Sequence, residues 1–442
     1  MPEDTIFALA SAAGRAGVAV IRVSGPGAGA AVRALTDRPV PEARRASLRH
    51  LADPASGERL DDALVLWFPG PASFTGEDVV EFHVHGGRAI LTGVTEALAA
   101  LPGLRPAGPG DFSRRAFEQG RLDLTAVEAI ADLVDAETAA QRRQALRQMD
   151  GALGQLYEGW RERLLRALAH LEADIDFADE DLPDGVASAV LPVLAALARA
   201  IGDHLDDRHR GERLRTGLQV AIVGAPNVGK SSLLNAIAGR EVAIVSALAG
   251  TTRDVIEVHL DLGGYPVTLA DTAGLRDATD EIESEGVRRA LARAAAADLK
   301  LVLFDGTAGD PDPGGAGGAL VDQDALVVVT KRDQWRDGVS LPAGALGVSA
   351  RSGEGVATLL ERIADLAASR LGSGDTPALT RTRHRAALER CQAALQRAQQ
   401  APLPELVAED VRLAMRCLGE ITGRVDVEQL LDVIFRDFCI GK

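Results

Sequence analysis

The stretch Gly224-Ala225-Pro226-Asn227-Val228-Gly229-Lys230-Ser231 decides the fold, because it has the G-x-x-x-x-G-K-[ST] form of a phosphate-binding loop. Its glycines let backbone N–H groups wrap an anion, Lys230 would reach the outer phosphates, and Ser231 would hold Mg²⁺. The apolar run at residues 218–223 precedes the loop, and apolar residues at helical spacing follow it. This order of strand, glycine loop and helix predicts a nucleotide-binding α/β domain rather than a chance glycine-rich turn.

Three downstream elements predict that the nucleotide is a guanine nucleotide. Asp271-Thr272-Ala273-Gly274 follows a strand-like run and offers a carboxylate to the Mg²⁺ shell and a glycine N–H to the γ-phosphate. In Thr330-Lys331-Arg332-Asp333, the Asp333 carboxylate can accept from N1–H and the N2 amino group of guanine. Ser349-Ala350 would present backbone N–H to the guanine oxygen.

These elements resemble those of the translation-factor-related GTPases, with one departure. Thr330 stands where that family usually has Asn, and a hydroxyl has fewer donors and acceptors than an amide. We therefore expect guanine specificity to persist through Asp333 and nucleotide affinity to be altered.

Composition limits the partners and the compartment. The 442 residues carry a net charge of −16, so nucleic acid would be repelled except at a local basic patch or through a partner. The clusters Arg142-Arg143, 208–215 and 381–385 are more simply read as solvated helix faces. Three cysteines indicate a reducing cytoplasm, and acidic residues near the start and the lack of a run of ~20 apolar residues predict no signal peptide and no membrane span.

Periodicity predicts a multidomain protein. We expect an α/β N-terminal domain at residues 1–120 and a Ras-like P-loop GTPase domain at 217–371. The GTPase domain is inserted into an all-α helical domain that comprises 121–216 and 372–442, the second part ending in a cysteine motif. The segment 309–318 is glycine-rich and is expected to be a surface loop without assigned chemistry.

Several smaller motifs leave two interpretations each. His83 and His85 have the spacing of zinc ligands on one strand face, but no third ligand is evident, which favours a structural role. Residues 111–115 could bind an anion or form a surface ion pair. Thr125-x-x-Glu128 has the form of a helix capping box. Cys391 and Cys417 lie on predicted helices and are expected to be small core residues.

The catalytic element of Ras-like GTPases is missing from the sequence. Leu275 occupies the position of the glutamine that orients the attacking water, and leucine cannot do so. The Asn227 amide could instead hold a monovalent cation beside the phosphates, with carbonyls of residues 246–252 around it. The alternative, that Asn227 merely stabilises the turn of the loop, is equally open.

Taken over its whole length, the sequence resembles the tRNA wobble-uridine modification GTPase family, MnmE (also called TrmE). The similarity lies in the N-terminal stretches at 4–6, 17–25 and 71–78 (PASFTGED), and at 85–87. It continues in Gly250-Thr251-Thr252-Arg253-Asp254 and in the ending Phe438-Cys439-Ile440-Gly441-Lys442, which generic GTPases lack.

The resemblance implies a potassium-activated GTPase with a specific ligand set. Ser231 and Thr252 match the Mg²⁺ ligands, and Glu283 matches the carboxylate that positions the hydrolytic water. The matches to the K⁺ ligands are Asn227, Ser246, Leu248 (through its carbonyl) and Thr251. The remaining nucleotide-binding candidates lie in the same loops: Val228, Gly229, Ser232, Ala247, Ala249, Gly250 and Arg351.

It also implies that residues 1–120 bind a tetrahydrofolate derivative (5-formyl or 5,10-methylene) and dimerise. The folate contacts would be Arg22, Glu81, Arg121 and Lys442, with Arg121 where the family more often has Lys. Cys439 would lie at the folate pocket, as a nucleophile or an acid–base group. Members of the family form homodimers and work in a heterotetramer with the FAD- and NADH-dependent subunit MnmG (GidA). They contact tRNA through this complex.

The sequence is therefore compatible with two functions. The first is folate-dependent modification of C5 of the wobble uridine, adding an aminomethyl or carboxymethylaminomethyl group. The alternative is a GTPase switch that assists ribosome assembly without modification chemistry. The N-terminal domain and the terminal cysteine favour the first.

Overall fold

The computed structural model describes most of the chain, in eleven stretches. They are residues 4–12, 14–176, 186–244, 257–271, 292, 294–307, 321–336, 341–372, 377–425, 428–436 and 438–441. Several residues that carry predictions lie outside them: 246–252, 272–275, Glu283, 309–318 and Lys442. The chain forms two compact units, one of Met1–Ala131, Met149–Glu162 and Met415–Lys442, the other of Asp132–Gln148 and Arg163–Ala414.

The N-terminal domain is a six-stranded sheet with helices. Its strands are β1 (Thr5–Leu9), β2 (Ala16–Ser24), β3 (Ser47–Ala52), β4 (Arg59–Phe68), β5 (Val79–Gly86) and β6 (Leu104–Pro106). The order is β3-β4-β5-β2-β1-β6, and only the β1–β6 pair is parallel. Helices α1 (Ala28–Thr36), α2 (Arg88–Ala99) and α3 (Asp111–Glu118) complete the domain.

The alternation of this sheet places its larger hydrophobic cluster on one face. Ile21 of β2 and Phe82 of β5 are fully buried with Val32 of α1 and Leu98 of α2. Arg22 and Glu81, one residue along, consequently point to the other face. This register is what builds the N-terminal site described below.

The helical segments are long, as the periodicity predicts. Before the GTPase domain they are α4 (Leu124–Val134), α5 (Ala139–Met149), α6 (Ala152–Asp176), α7 (Val186–Leu205) and α8 (Arg210–Thr216). The GTPase domain ends with α10 (Val356–Leu371), and after it follow α11 (Thr382–Ala398), α12 (Pro404–Thr422) and α13 (Glu428–Arg436). Cys391 and Cys417 are fully buried, as expected of core residues.

The predicted capping box on α4 is wrong. The helix begins two residues earlier than a cap at Thr125 would place it, and Asp123 caps it by accepting from the backbone N–H of Ala126 at 2.9 Å and from the Thr125 hydroxyl at 2.7 Å. A carboxylate at this position competes successfully with a hydroxyl because it is charged beside the positive helix end. Thr125 and Glu128 are instead buried within the helix.

The GTPase domain is a second six-stranded sheet. Its strands are β7 (Leu218–Gly224), β8 (Glu257–Leu262), β9 (Tyr265–Asp271), β10 (Leu299–Asp305), β11 (Ala325–Thr330) and β12 (Leu346–Gly347), with α9 (Lys230–Ala238) after β7. The order is β12-β11-β10-β7-β9-β8, and every neighbouring pair is parallel except β8–β9. Because the parallel strands end at one edge, the loops that follow them share that edge. The three domain types confirm the predicted fold class.

Candidate functional site

The phosphate loop bridges the end of β7 and the start of α9. A Cβ at Gly224 would lie 2.7 Å from the carbonyl oxygen of Leu303, so only glycine allows this close passage beside β10. Asn227 has a φ of 61° and Gly229 a φ of 104°, both in the left-handed region. These turns leave the tip of the loop exposed and direct the chain into the N-terminus of α9.

Lys230 is held at the loop before any nucleotide is considered. Its side chain is buried, and Nζ donates to the carbonyl oxygens of Gly224 at 3.0 Å and Ala225 at 2.8 Å. Burial lowers the pKa of Lys230, and the nearby charge of Asp271 opposes that shift. The ammonium is therefore partly desolvated beside the loop backbone, where an anionic phosphate would offer it stronger partners.

The predicted Mg²⁺-binding side chains lie together. The Ser231 hydroxyl donates to Oδ2 of Asp271 at 2.7 Å, and Asp271, the last residue of β9, is buried. Hydroxyl and carboxylate oxygens are the ligands that Mg²⁺ prefers. The pair fits a magnesium site beside the phosphate loop. Ser231 follows β7 through that loop, and Asp271 ends the neighbouring strand β9.

The guanine-binding elements also converge. The Ser349 hydroxyl donates to Oδ1 of Asp333 at 2.6 Å, and this bond lowers the pKa of Asp333, which keeps it an acceptor. Lys331 Nζ donates to Oδ2 of Asp305 at 2.6 Å. Although burial by itself raises the pKa of Asp305, its hydrogen bonds to Lys331 and Thr307 hold that pKa below the ordinary value.

The other predicted residues of the nucleotide site differ in their exposure. Ser232 and Arg351 are exposed, and Ala350 is half-buried next to buried Ser349. Val228 is buried in the loop, and its carbonyl oxygen accepts from the Thr330 hydroxyl. Sequence reasoning missed Asp305 and this Thr330 contact, because no local motif marks either.

The N-terminal domain has a second polar site on the face of its sheet that also packs the smaller cluster of Ile6, Ala8 and Phe112. Arg22 and Glu81 are cross-strand neighbours on β2 and β5, and Arg22 Nη2 donates to Glu81 Oε1 at 3.0 Å. His83 Nε2 lies 3.2 Å from the other carboxylate oxygen. The Arg22 guanidinium carbon lies 5.5 Å from the ring centre of Phe74 and 5.7 Å from that of Phe112. This combines a charged pair with two aromatic rings.

A buried polar network fixes the loop that carries Phe74. Arg115 Nη1 donates to Oε2 of Glu77 at 3.0 Å, and both side chains are 5% exposed. The Ser24 hydroxyl donates to the same Glu77 oxygen at 2.7 Å, and Arg115 Nη2 donates to Oδ1 of Asp4 at 2.9 Å. The segment at 111–115 thus forms ion pairs, and the Arg115 pair lies in the interior rather than at the surface as predicted.

The chain end lies against the N-terminal domain. Gly110 N–H points to the carbonyl oxygen of Cys439 at 3.4 Å, and Ile440 forms a β-bridge with Pro109. A Cβ at Gly441 would lie 2.9 Å from Cα of Ala10, just beyond β1. Cys439 itself is exposed, which excludes a buried structural thiol.

Arg121 lies near the same loop region. It is exposed, and a Cβ at Gly76 would lie 3.3 Å from its Cγ. Gly76 is two residues from Phe74, so Arg121 flanks the segment whose aromatic ring faces Arg22.

The remaining candidate motifs are engaged elsewhere. His85 Nδ1 lies 2.8 Å from Oδ1 of Asp61, and within the described stretches no group of three or more His, Cys, Asp or Glu side chains could hold a metal ion. Of the basic clusters, Arg381 pairs with Asp132 at 2.6 Å and Arg385 with Asp207 at 2.6 Å, while Arg142 and Arg143 are exposed. None of the described helices is apolar and long enough to pass through a bilayer.

The parallel sheet, phosphate loop, Ser231–Asp271 pair and guanine-binding elements define a P-loop GTPase carrying a separate N-terminal site. A sequence profile described as GTP-binding protein TrmE N-terminus matches residues 5–121, and one described as MnmE helical domain matches 124–439. The chain is 61% identical over 464 residues to the tRNA modification GTPase MnmE of Rhodospirillum rubrum, and 60% identical over 445 residues to that of Paramagnetospirillum magneticum. Both matches span 100% of both chains. The chain therefore belongs to the MnmE family of tRNA modification GTPases, and is a GTP hydrolase that uses GTP and Mg²⁺.

Among solved structures, that of Aquifex aeolicus Era is 24% identical over 42% of this chain and 69% of that chain. The TM-score of that match is 0.27.

Proposed function

We propose that this chain is a potassium-activated GTPase that acts with the FAD-dependent subunit MnmG (GidA) to modify C5 of the wobble uridine of certain tRNAs. The added aminomethyl or carboxymethylaminomethyl group would take its one-carbon unit from a tetrahydrofolate derivative. The observation that carries this proposal is the N-terminal site, where Arg22 pairs with Glu81 and its guanidinium lies near the rings of Phe74 and Phe112, in the domain against which the Cys439 segment lies. GTP hydrolysis alone has no use for such a site.

The side chains of that site suit a folate. Aromatic rings beside a guanidinium accommodate a flat heterocycle, and the Glu81 carboxylate can accept from ring N–H groups. Arg121, exposed beside Gly76, offers a cation to an acidic tail. Lys442 would add a second cation, and Cys439 would supply the thiol of the modification chemistry.

The GTPase domain would supply the ion dependence. Lys230, Ser231 and Asp271 would hold the phosphates and Mg²⁺, as their positions favour. Asn227 and oxygens of Ser246, Leu248 and Thr251 would hold K⁺, Thr252 would complete the Mg²⁺ shell, and Glu283 would orient the hydrolytic water. We further propose that the protein is cytoplasmic and dimerises through residues 1–120.

Folate binding tests the proposal most directly. Titration of 5-formyltetrahydrofolate, followed calorimetrically, is expected to show binding to the wild-type protein. Arg22→Ala should weaken it about 10-fold or more, because a charge-assisted contact is lost. Arg38→Ala, an exposed arginine of the same domain, is the matched control and should leave binding unchanged.

The Cys439→Ser variant separates the two activities. It should retain GTP hydrolysis and fail to support tRNA modification when combined with the partner subunit. Absence of folate binding by the wild type would contradict the proposal and favour the ribosome-assembly switch.

A further inference from the structure

Trp335 lies where three strands of the GTPase sheet end. It follows the short 3₁₀ helix Arg332–Gln334, two residues after Asp333. Its indole N–H donates to the carbonyl oxygen of Thr330, the last residue of β11, at 2.8 Å. This hydrogen bond closes the loop 330–335, and Asp333 lies within that loop.

The indole ring also fills the space between two glycines on neighbouring strands. A Cβ at Gly306, directly after β10, would collide with Nε1 of Trp335. A Cβ at Gly347, the last residue of β12, would lie 2.5 Å from Cη2 of the same ring. Neither glycine has a φ in the left-handed region, so the ring, and not the backbone, requires glycine at both positions.

The strand on the far side of the ring is weakly held by its own pairing. β12 has two residues and lies at the edge of the sheet, where Gly347 pairs with Val329 of β11. A strand this short gains little from its ladder alone, whereas an aromatic ring packed against it adds apolar contact. Ser349 follows β12 and donates to Asp333 at 2.6 Å. The spacing between Ser349 and Asp333 therefore depends on how the ring holds β12 beside β11.

We propose that Trp335 is a positioning residue for guanine recognition. Its ring sets the spacing of the strand ends that carry Asp333 and Ser349, and thereby the selectivity of the site for the guanine base. This inference rests on the expected contact between Asp333 and guanine, and it does not depend on folate or potassium.

The test compares GDP with IDP in competition binding to the nucleotide-free protein. IDP lacks the N2 amino group and gives Asp333 one hydrogen bond fewer than GDP. The wild type should prefer GDP roughly 10- to 150-fold, the worth of a hydrogen bond to a charged group. Trp335→Ala should lower this ratio about 5-fold or more, because the carboxylate is no longer held in place. A loss of stability alone would weaken binding of both nucleotides equally and leave the ratio unchanged.

Two further variants separate the ring from its N–H group. Trp335→Phe keeps a ring between the glycines, and the Thr330 carbonyl retains the N–H of Gly306 at 3.3 Å. Its ratio should stay within about threefold of wild type. Gly306→Ala displaces the indole and should lower the ratio as Trp335→Ala does. In the double variant the added methyl meets no indole, so the ratio should differ from that of Trp335→Ala by less than about twofold.

Arg336→Ala, which changes the exposed residue next to Trp335, is the matched control and should leave the ratio unchanged. A wild-type ratio in Trp335→Ala or in Gly306→Ala would overturn the proposal, and so would additive effects in the double variant. A wild type that binds IDP as tightly as GDP would overturn it as well. If Trp335→Ala fails to fold, Gly306→Ala and Trp335→Phe still decide, because the proposal requires a lowered ratio in the first and a retained ratio in the second.

Discussion

Replacing Asn227 by glycine and by alanine distinguishes a potassium ligand from a residue that only stabilises the turn of the loop. The two replacements differ because glycine tolerates the backbone conformation of Asn227 and alanine does not. Asn227 has a φ of 61°, in the left-handed region that glycine adopts freely. Alanine in that conformation costs about 1–2 kcal/mol, so a loop that relaxes out of it when no nucleotide is bound would lose roughly 5- to 30-fold in nucleotide affinity. Glycine therefore removes only the amide, whereas alanine removes the amide and strains the turn.

The assay is GTP hydrolysis in K⁺ and in Na⁺ at equal ionic strength, with GDP affinity measured in parallel. If the amide is a potassium ligand, wild-type hydrolysis is much faster in K⁺, and both variants lose that difference. Only Asn227→Ala should also bind GDP more weakly. Retention of potassium stimulation by Asn227→Gly would show that Asn227 serves the turn, and equal wild-type rates in the two salts would refute potassium activation itself.

Two further predictions concern water activation and dimerisation. Glu283→Ala should leave GTP affinity near wild type and slow hydrolysis by roughly 10²–10⁴-fold, the usual worth of acid–base assistance, with Glu285→Ala as the control; a collapse of affinity would instead mark Glu283 as structural. A variant in which a short Gly/Ser linker replaces residues 217–371 should remain a dimer by light scattering, because the proposed dimer contacts lie in residues 1–120, outside the removed segment. A monomer would disprove dimerisation through residues 1–120.

The phosphate loop could be predicted from sequence because its chemistry is local. Strand, glycines, Lys230 and Ser231 follow one another in the chain, and the parallel sheet brings Asp271 to the same edge. What the pattern could not give is the partner of Thr330. The donor is evident from the residue type, but the Val228 acceptor is 102 positions away and depends on how β11 and the loop approach each other.

The N-terminal site shows the same limit more strongly. Without the family resemblance, nothing in the residues pairs Arg22 with Glu81, which are 59 positions apart and meet only through the register of β2 and β5. Arg115 reads as a surface charge in a polar segment, yet long-range contacts with Glu77 and Asp4 bury it. The strands β3 and β6 give weak sequence signals, because polar residues interrupt the alternation of β3 and β6 has only three residues.

The connections of the inserted domain indicate how a nucleotide-dependent conformational change in it would reach the helical segments. Helix α8 ends two residues before β7 begins, and a Cβ at Gly211 in this helix would collide with the Leu379 carbonyl oxygen. Arg215 Nε donates to the Thr380 carbonyl at 3.1 Å, so the segment that leads into the domain is fastened to the one that follows it. Because close-packed backbones resist gradual deformation, a shift of β7 would move α8 and the start of α11 together. The phosphate loop, at the other end of β7, is thereby joined to the helical segments through a single strand.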